Sequence, residues 1–288
     1  MRGGAGSLSL ALLPGRQIIQ QQEGYEQATA ESLVMYLPPT MYEQTGRYYA
    51  FFGPHATITP DEEKFLAYWS NGKHRALDFG AGLCGSALLL ARFGLEVFAF
   101  EPSPLLAALA MDRLNREGDL ARSITLLEGR AEALAESFEA DFILMRSVFM
   151  LLNSEEREAA LQTVCRHSSP GARMVIDVRT STLPWAEQGA IHEERHLGRT
   201  SYRRHTRYTR QVDGSTRVHW EVEGERLGRT FHIGEEDFIV QADTVDGLRN
   251  LLSTQGFEVE QIYAAYDIDR PHAEGDAMLV AVAQRKLR

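Results

Sequence analysis

The stretch LDFGAGLCGS, residues 77–86, decides how this chain folds. An apolar strand is predicted to run into a glycine turn here and then into the Ala/Leu-rich helix that follows. Glycine at positions 80 and 82 lets backbone N–H groups approach a ligand closely, and the helix presents its positive end at the same place. Sixteen residues after Gly85, the next predicted strand ends in Glu101, whose carboxylate can accept hydrogen bonds from both hydroxyls of a ribose. Together these features predict a site for an adenosine-containing ligand.

The identity of that ligand depends on Asp78. The spacing of Gly80, Gly82 and Gly85 also satisfies the dinucleotide fingerprint, which on its own is a weak signal. An acid two residues before the first glycine would repel a pyrophosphate, but it suits a ligand that carries an ammonium and a sulfonium. A purely structural alternative is that the glycines only allow the strand and the helix to pack closely.

With Asp78 in the acidic position and Glu101 in the ribose position, the run resembles motif I of the class I S-adenosylmethionine-dependent methyltransferases. Cys84 followed by Gly85 stands where that family usually has a third glycine. The resemblance covers about residues 74–180 and 243–285, and it implies S-adenosyl-L-methionine as the cofactor. The strand-rich insertion after the fifth predicted strand further resembles, in its architecture, natural-product and amino-sugar N-methyltransferases, in which it roofs the acceptor pocket. This second resemblance implies methyl transfer to a small-molecule acceptor, on nitrogen, carbon or oxygen, in natural-product biosynthesis.

The order of predicted elements indicates an α/β fold. Five strands alternate with helices between residues 75 and 179, which is typical of a parallel, doubly wound sheet. The resemblance completes this to a mostly parallel seven-stranded, Rossmann-like sheet, with N-terminal helices and an inserted antiparallel β lid. We therefore expect an N-terminal arm and aromatic lid over 1–55, a cofactor-binding core over 56–182 and 240–288, and a substrate lid over 183–239.

The boundaries of individual elements follow from periodicity and capping residues. Strands are predicted at 75–79, 96–100, 124–127, 141–146, 173–179, 261–266 and 277–283. Helices are predicted within 17–37 and at 86–93, 104–116, 131–137, 155–167 and 244–255, with Ser154 as the N-cap of the fifth of these six helices; Thr59 is predicted to cap a further helix.

The insertion contains a predicted hairpin around Asp213-Gly214. A three-residue loop with Gly214 in the left-handed conformation would set Tyr208 opposite Val218 and Thr206 opposite Trp220 on one face. Arg203 would then lie opposite Glu223, and His205 opposite Glu221, on the other face. A third strand is predicted at 229–233 and a fourth at 238–242.

Ligands of such sheets lie outside the carboxyl ends of the strands, so the residues that follow each strand are candidates for the site. Residues 41–53, here called the aromatic segment, precede the core and resemble a lid that folds over the methionine end of the cofactor; Tyr42, Arg47, Tyr48 and Tyr49 are its candidates. An alternative is that these rings only dock the N-terminal part on the core. The cofactor-binding candidates are Tyr42, Arg47, Asp78, Gly80, Ala81, Gly82, Glu101, Pro102, Ser103, Arg130, Ala131, Glu132, Arg146 and Ser147.

Methyl transfer from a sulfonium depends mostly on alignment and on exclusion of water, so a dedicated base is optional. Where the acceptor needs to lose a proton, His192, His196 and His219 of the insertion are candidates, together with Tyr48 of the aromatic segment. A lone histidine is more often structural or solvated.

Composition limits the remaining functional classes. The 288 residues are 44% hydrophobic, carry a formal net charge of −10 and include only two cysteines. These values predict a soluble cytoplasmic protein without disulfides, metal, membrane segment or nucleic-acid partner, and leave a homodimer open. Two alternatives to a small-molecule methyltransferase stay open: an NAD-dependent oxidoreductase, and an RNA-modifying or catalytically silent S-adenosylmethionine-binding protein.

Overall fold

The structure, a computed structural model, describes residues 42, 44–52, 57–128, 138–180 and 190–287. The predicted helices within 17–37 and at 131–137 lie outside these ranges, as do Arg130, Ala131 and Glu132.

A mixed sheet forms the centre of the fold. Its strands are β1 (Arg75–Phe79), β2 (Glu96–Glu101), β3 (Ile124–Glu128), β4 (Ala140–Met145), β5 (Ser168–Thr180), β11 (Phe257–Tyr263) and β12 (Met278–Arg285). They lie in the order β11-β12-β5-β4-β1-β2-β3, and all neighbours are parallel except β12, which runs antiparallel to both β5 and β11. The predicted mostly parallel sheet is confirmed, and a short eighth strand, described below, is added to the seven by pairing with the end of β5.

Helices cover both faces of this sheet. They are α2 (Pro60–Trp69), α3 (Gly85–Arg92), α4 (Pro104–Arg116), α5 (Ser154–Arg166) and α6 (Val245–Thr254). A further helix, α1 (Gly46–Phe52), packs on α4 instead. None of the helices within the described ranges is long and apolar enough to cross a bilayer.

The core is divided into two layers because successive residues of a strand point to opposite faces of the sheet. Leu77 and Phe79 of β1 belong to one buried apolar cluster, with Ile143 of β4. Ala76 of β1 and Phe142 of β4 belong to the other, which includes the apolar face of α3. Burial on both faces makes these strands almost continuously hydrophobic, which is why their positions were predictable from sequence.

The insertion forms a separate four-stranded antiparallel sheet, here called the roof sheet. Its strands are β6 (Ala190–Leu197), β7 (Thr200–Arg210), β8 (Thr216–Arg226) and β9 (Arg229–Val240), paired in that order. The predicted hairpin register is confirmed, with Tyr208 opposite Val218 and Arg203 opposite Glu223. The N–H of Gln211 donates to the carbonyl of Ser215 at 2.8 Å, and Gly214 has φ +88°, as the three-residue loop requires.

Several predicted boundaries are wrong. The third strand of the insertion runs without a break from 229 to 240, only Ala242–Asp243 (β10) follows it, and β6 was not predicted. Asn153, not Ser154, caps α5, since its side chain accepts from the N–H of Glu156 in a capping box. The penultimate core strand is 257–263 rather than 261–266, because Ala265 adopts φ +53° beyond its end.

The chain leaves the central sheet and returns to it at neighbouring points. β10 pairs in parallel with the end of β5, so that Asp243 lies beside Thr180. Asp243 also accepts two hydrogen bonds from the buried guanidinium of Arg157 on α5, at 2.7 and 3.0 Å. A paired and fully hydrogen-bonded buried charge fixes geometry, so this contact holds the return strand against the core.

Candidate functional site

The glycine loop, residues 80–85, joins β1 to α3 at the carboxyl edge of the central sheet. The N–H groups of Gly80 and Ala81 donate to the carbonyl of Phe100 at 3.0 and 2.7 Å. Gly80 has φ +78°, and a Cβ atom on it would lie 2.6 Å from Cγ2 of Val148. Glycine at position 80 therefore leaves the room in which Val148 packs directly on the loop.

Cys84 occupies the turn at which the resembling family usually has its third glycine. It adopts the left-handed conformation, with φ 57° and ψ 29°, directly before α3, and its side chain is fully buried. Burial raises the pKa of its thiol far above the ordinary value. The cysteine therefore takes the backbone conformation that glycine favours, and its packing under α3 stabilises this turn.

Asp78, on β1 immediately before the glycine loop, is 2% exposed. Its Oδ2 atom has no hydrogen-bond partner among the residues that the structure describes. Burial raises the pKa of its carboxyl to about 7, against the opposing charge of Arg146. A buried carboxylate oxygen without a partner is costly, and a cationic group of a ligand would satisfy it.

Glu101, at the end of β2, is 3% exposed and lies beside the glycine loop. Its two carboxylate oxygens accept from different backbone N–H groups, those of Gly82 at 2.7 Å and Ser103 at 2.8 Å. Burial raises the pKa of this carboxyl to about 7 despite these two bonds. Each oxygen retains further acceptor capacity, as binding of two adjacent ribose hydroxyls requires. Ser103 also caps α4 through its side chain, and Pro102 precedes it.

The opposite wall of the pocket is formed after β4 by Arg146 and Ser147. Arg146 donates through Nε and Nη2 to one oxygen of Glu62, at 3.1 and 2.8 Å, and to the carbonyl of Thr57. Both side chains of this ion pair are largely buried. The Arg146 guanidinium is thus paired with a carboxylate of the chain itself.

Ser147 adopts φ 57° and is held by Asp177 of β5. The Ser147 N–H donates to Oδ1 of Asp177 at 2.5 Å, and the Tyr266 hydroxyl donates to Oδ2 at 3.2 Å. Asp177 is fully buried, and burial raises the pKa of its carboxyl although the Ser147 N–H acts against this. Neither Asp177 nor Tyr266 was a predicted site residue, since nothing in the sequence links positions so far apart.

Of the described residues of the aromatic segment, Tyr49 lies over the glycine loop and lines the pocket. Tyr42 is buried behind it, with ring centroids 5.0 Å apart, and does not line the pocket. Arg47 is exposed, and Tyr48 packs on Tyr202 of the roof sheet at 5.4 Å. Of the four candidates in this run, the structure brings Tyr49 to the pocket directly.

The inner face of the roof sheet closes the site from above. Trp220 lies 6.3 Å from the Tyr42 ring and 4.9 Å from the Phe238 ring, centroid to centroid. Val218 and Val240 of the same face pack on Met150, which follows β4. The glycine loop, the aromatic segment and the roof sheet therefore meet in one apolar layer.

The three candidate histidines lie on the other face of the roof sheet, called here the outer face. His192 of β6 lies opposite His205 of β7, and His205 lies opposite Glu221 of β8. The neighbouring pair, Thr206 and Trp220, belongs to the inner face, so His192 and His205 belong to the outer one. By alternation His196 and His219 share the face of His192. His219 contacts Asp237 at 3.3 Å, and His192 contacts His205 at 2.5 Å. We therefore do not assign these three side chains to the site.

Within the described ranges, no group of three or more His, Cys, Asp or Glu side chains is arranged to hold a metal ion. The residues that the structure does bring together are suited to an organic ligand with a ribose and a cationic group. Glu101 offers oxygens to the ribose, Asp78 offers an unpaired oxygen to the cation, and Tyr49 covers Gly82 at 3.9 Å from the position of its absent Cβ.

Comparison with known proteins agrees with this arrangement. The family described as "Methyltransferase domain" matches residues 77–176, which span β1 to β5 and include the glycine loop and Glu101. No curated protein matches the chain in sequence.

Solved structures share its fold. An S-adenosylmethionine-dependent methyltransferase from Clostridium acetobutylicum has a TM-score of 0.68 at 11% identity, over 85% of this chain and 99% of its own. The sugar N-methyltransferase KedS8 from a Streptoalloteichus species has a TM-score of 0.64 at 15% identity, covering 95% and 100%. CalS10, an amino pentose methyltransferase from Micromonospora echinaspora, has 0.60 at 18% identity, covering 93% and 100%. At these identities the likeness establishes the fold.

Proposed function

We propose that the chain is a class I S-adenosylmethionine-dependent methyltransferase, and that it methylates a small-molecule acceptor bound beneath the inner face of the roof sheet. The observation that carries this proposal is the enclosed aromatic layer between the glycine loop and the roof sheet, in which Tyr49, Tyr42 and Trp220 follow one another.

We propose roles for the cofactor-binding residues from the geometry of each. Asp78 would pair with the ammonium of the methionine moiety through the oxygen that lacks a partner among the described residues. Glu101 would bind the ribose hydroxyls, and the backbone of the glycine loop would approach the sulfur end closely. Tyr49 would cover that end and exclude water. Arg146 and Ser147 would shape the facing wall, held by Glu62 and Asp177.

The bound cofactor supplies a methyl group on a positively charged sulfur, and transfer is an in-line displacement. The protein contributes by aligning the two reactants and by removing water from between them. Rigid walls serve this purpose, and here the loop, the Ser147 turn and the roof sheet are each fixed by buried hydrogen bonds or close packing.

An amine is the acceptor group that this layer suits best. A neutral amine attacks through its own lone pair, so the reaction does not require a histidine at the site, and the candidate histidines lie on the outer face. The faces of Tyr42, Tyr49, Trp220 and Phe238 are favourable surroundings for an amine that becomes cationic as it is methylated. Of the proteins that share this fold, one is described as an amino pentose methyltransferase and another as a sugar N-methyltransferase, which makes amino sugars the first acceptors to test.

The two alternatives receive less support. The unpaired oxygen of buried Asp78 would face the phosphates of a dinucleotide, and the matched family is a methyltransferase family. A net charge of −10 and an enclosed aromatic layer are unfavourable for RNA.

The proposal is tested by a screen of amine- and hydroxyl-bearing small molecules, with RNA included, using cofactor labelled in the transferred methyl group. Trp220→Ala should then lower kcat/KM for the acceptor that is found about tenfold or more, because it removes a large aromatic wall of the layer.

The matched control is His219→Ala, one residue away on the outer face of the same strand, which should leave kcat/KM unchanged. Transfer to RNA in preference to every small molecule, or equal losses in the two variants, would overturn the placement of the acceptor beneath the inner face.

A further inference from the structure

We propose that Glu236 is a positioning residue: by fixing the start of α1 on the roof sheet it holds the Tyr49 ring over Gly82, so the roof sheet helps to set the affinity for the cofactor. The inference rests on the proposed function in one respect, that the cofactor binds between Tyr49 and the glycine loop.

Glu236 lies on the inner face of β9, opposite Trp220, and is 7% exposed. Its Oε1 atom accepts from the N–H of Thr45 at 2.9 Å and from the N–H of Gln44 at 3.2 Å. These N–H groups directly precede α1, where a helix leaves backbone donors without partners of its own. A buried carboxylate in this place makes charge-assisted hydrogen bonds, which are stronger than neutral ones.

Side chains pack closely on the two glycines at this junction. A Cβ atom on Gly234 of β9 would lie 2.8 Å from Cβ of Gln44. On the other side, a Cβ atom on Gly46 would lie 3.0 Å from Cδ2 of Leu105, at the start of α4. The start of α1 is therefore confined between the roof sheet and the helix that follows Glu101.

The far end of α1 is attached to the same sheet. Arg204 of the inner face donates to the carbonyl of Phe52 at 3.4 Å and stacks on the rings of Phe52 and Trp220. Phe51 packs on Tyr202 with centroids 5.5 Å apart. Tyr49 lies between these two attachments, so its ring has little freedom to leave the glycine loop while both hold.

A ligand that enters between Tyr49 and Gly82 needs α1 to move away and to return. The Glu236 contacts break in the open arrangement and form again in the closed one, so they contribute to affinity without touching the ligand. Removing them should favour the open arrangement and weaken cofactor binding.

Affinity for S-adenosylhomocysteine, measured by calorimetry on the full chain without acceptor, tests the inference. We expect Glu236→Ala to weaken binding about tenfold. Glu236→Gln retains an oxygen that can accept both N–H groups and should recover most of that loss. The matched control is Glu235→Ala, on the outer face of the same strand, which should bind as the unaltered protein does.

A double-mutant cycle with Tyr49→Ala separates positioning from a general loss of structure. If Glu236 acts through Tyr49, Glu236→Ala should weaken binding little further once Tyr49 is alanine. Equal losses in the two backgrounds, or full affinity in Glu236→Ala, would overturn the inference.

If Glu236→Ala does not fold, Gly234→Ala decides, because its Cβ would displace Gln44 while the carboxylate stays. It should weaken binding in the same direction, and unchanged affinity there would overturn the inference. The readout contains no acceptor, so failure here leaves the acceptor proposal standing, and failure of the acceptor screen leaves this one standing.

Discussion

Replacement of Asp78 by asparagine should make the free energy of unfolding less sensitive to rising pH, and it should impair cofactor binding. The shape of the side chain is retained, and only its ability to ionise is lost. Burial raises the pKa of the Asp78 carboxyl from 3.8 to about 7. A raised pKa means that folding favours the protonated carboxyl, so this group's contribution to stability is present at low pH and is lost as the pH rises from about 4 to about 7.

The size of the effect follows from the pKa difference. From pH 5 upward the unfolded chain has released this proton, while the folded protein keeps it until the pH nears 7, where half of the molecules have lost it. Each pH unit below that point therefore removes about 1.4 kcal/mol from the free energy of unfolding, and the loss between pH 5 and pH 7 is about 2 kcal/mol. The asparagine variant carries no such loss. Its buried amide brings an NH2 group into a site that holds a carboxyl oxygen in the unaltered protein, and the penalty for this, about 1 to 3 kcal/mol, is the same at every pH.

The measurement is urea unfolding of both proteins at pH 5, 6 and 7, with the difference in unfolding free energy plotted against pH. The difference should move in favour of the variant by about 2 kcal/mol across the series. Asp119→Asn serves as the control, because the Asp119 side chain is 89% exposed and its replacement should give a flat difference.

Stabilisation by a bound ligand should favour the unaltered protein over the asparagine variant. At pH 8 S-adenosylhomocysteine should stabilise the unaltered protein much more than the variant, because its ammonium pairs with the ionised carboxylate. A difference that stays flat from pH 5 to pH 7, or equal stabilisation of both proteins by the ligand, would refute the placement of a desolvated, ligand-pairing carboxylate at position 78.

Two further predictions concern the same site. Glu101→Ala should weaken the binding of adenosine as well as of S-adenosylhomocysteine, whereas Asp78→Ala should weaken the binding only of ligands that carry the methionine amine. Titration of both ligands against both variants checks this. Equal losses of adenosine affinity in the two variants would contradict the assigned roles. Gly80→Ala should destabilise the protein and reduce cofactor affinity, since its Cβ would lie 2.6 Å from Val148 at φ +78°. The double variant Gly80→Ala, Val148→Ala should recover part of the loss in a thermal unfolding assay, and no recovery would show that backbone strain alone is responsible.

The parts of the fold that were predictable are those with strong local signals. β1, β2 and β4 are nearly continuous apolar runs because both of their faces are buried, and the glycine loop follows directly from its residues. The hairpin register followed from turn chemistry, since only an odd loop length placed Tyr208 and Thr206 on one face with apolar partners.

The parts that were not predictable depend on contacts between distant residues. β6 has an exposed, polar sequence and exists because it pairs with β7. The candidate histidines were chosen for their chemistry alone, because imidazole titrates near neutral pH. Their chemistry does not indicate on which face of a strand they lie, and a shift of one residue along a strand moves a side chain to the opposite face. Asp177 and Glu236 were overlooked for a related reason, because their partners are 30 and 191 residues away in sequence.

The adjacency of Thr180 and Asp243 has a consequence for how this protein can diversify. Parallel neighbours in a sheet lie about 4.8 Å apart, so the segment between these residues begins and ends at almost one point. Lengthening, shortening or exchanging that segment changes no strand order in the central sheet, and the cost of closing a longer excursion grows only slowly with length. On the proposed function, selection can thus recruit new acceptors by exchanging one contiguous block of the chain, provided that the block still offers a carboxylate where Glu236 now meets α1.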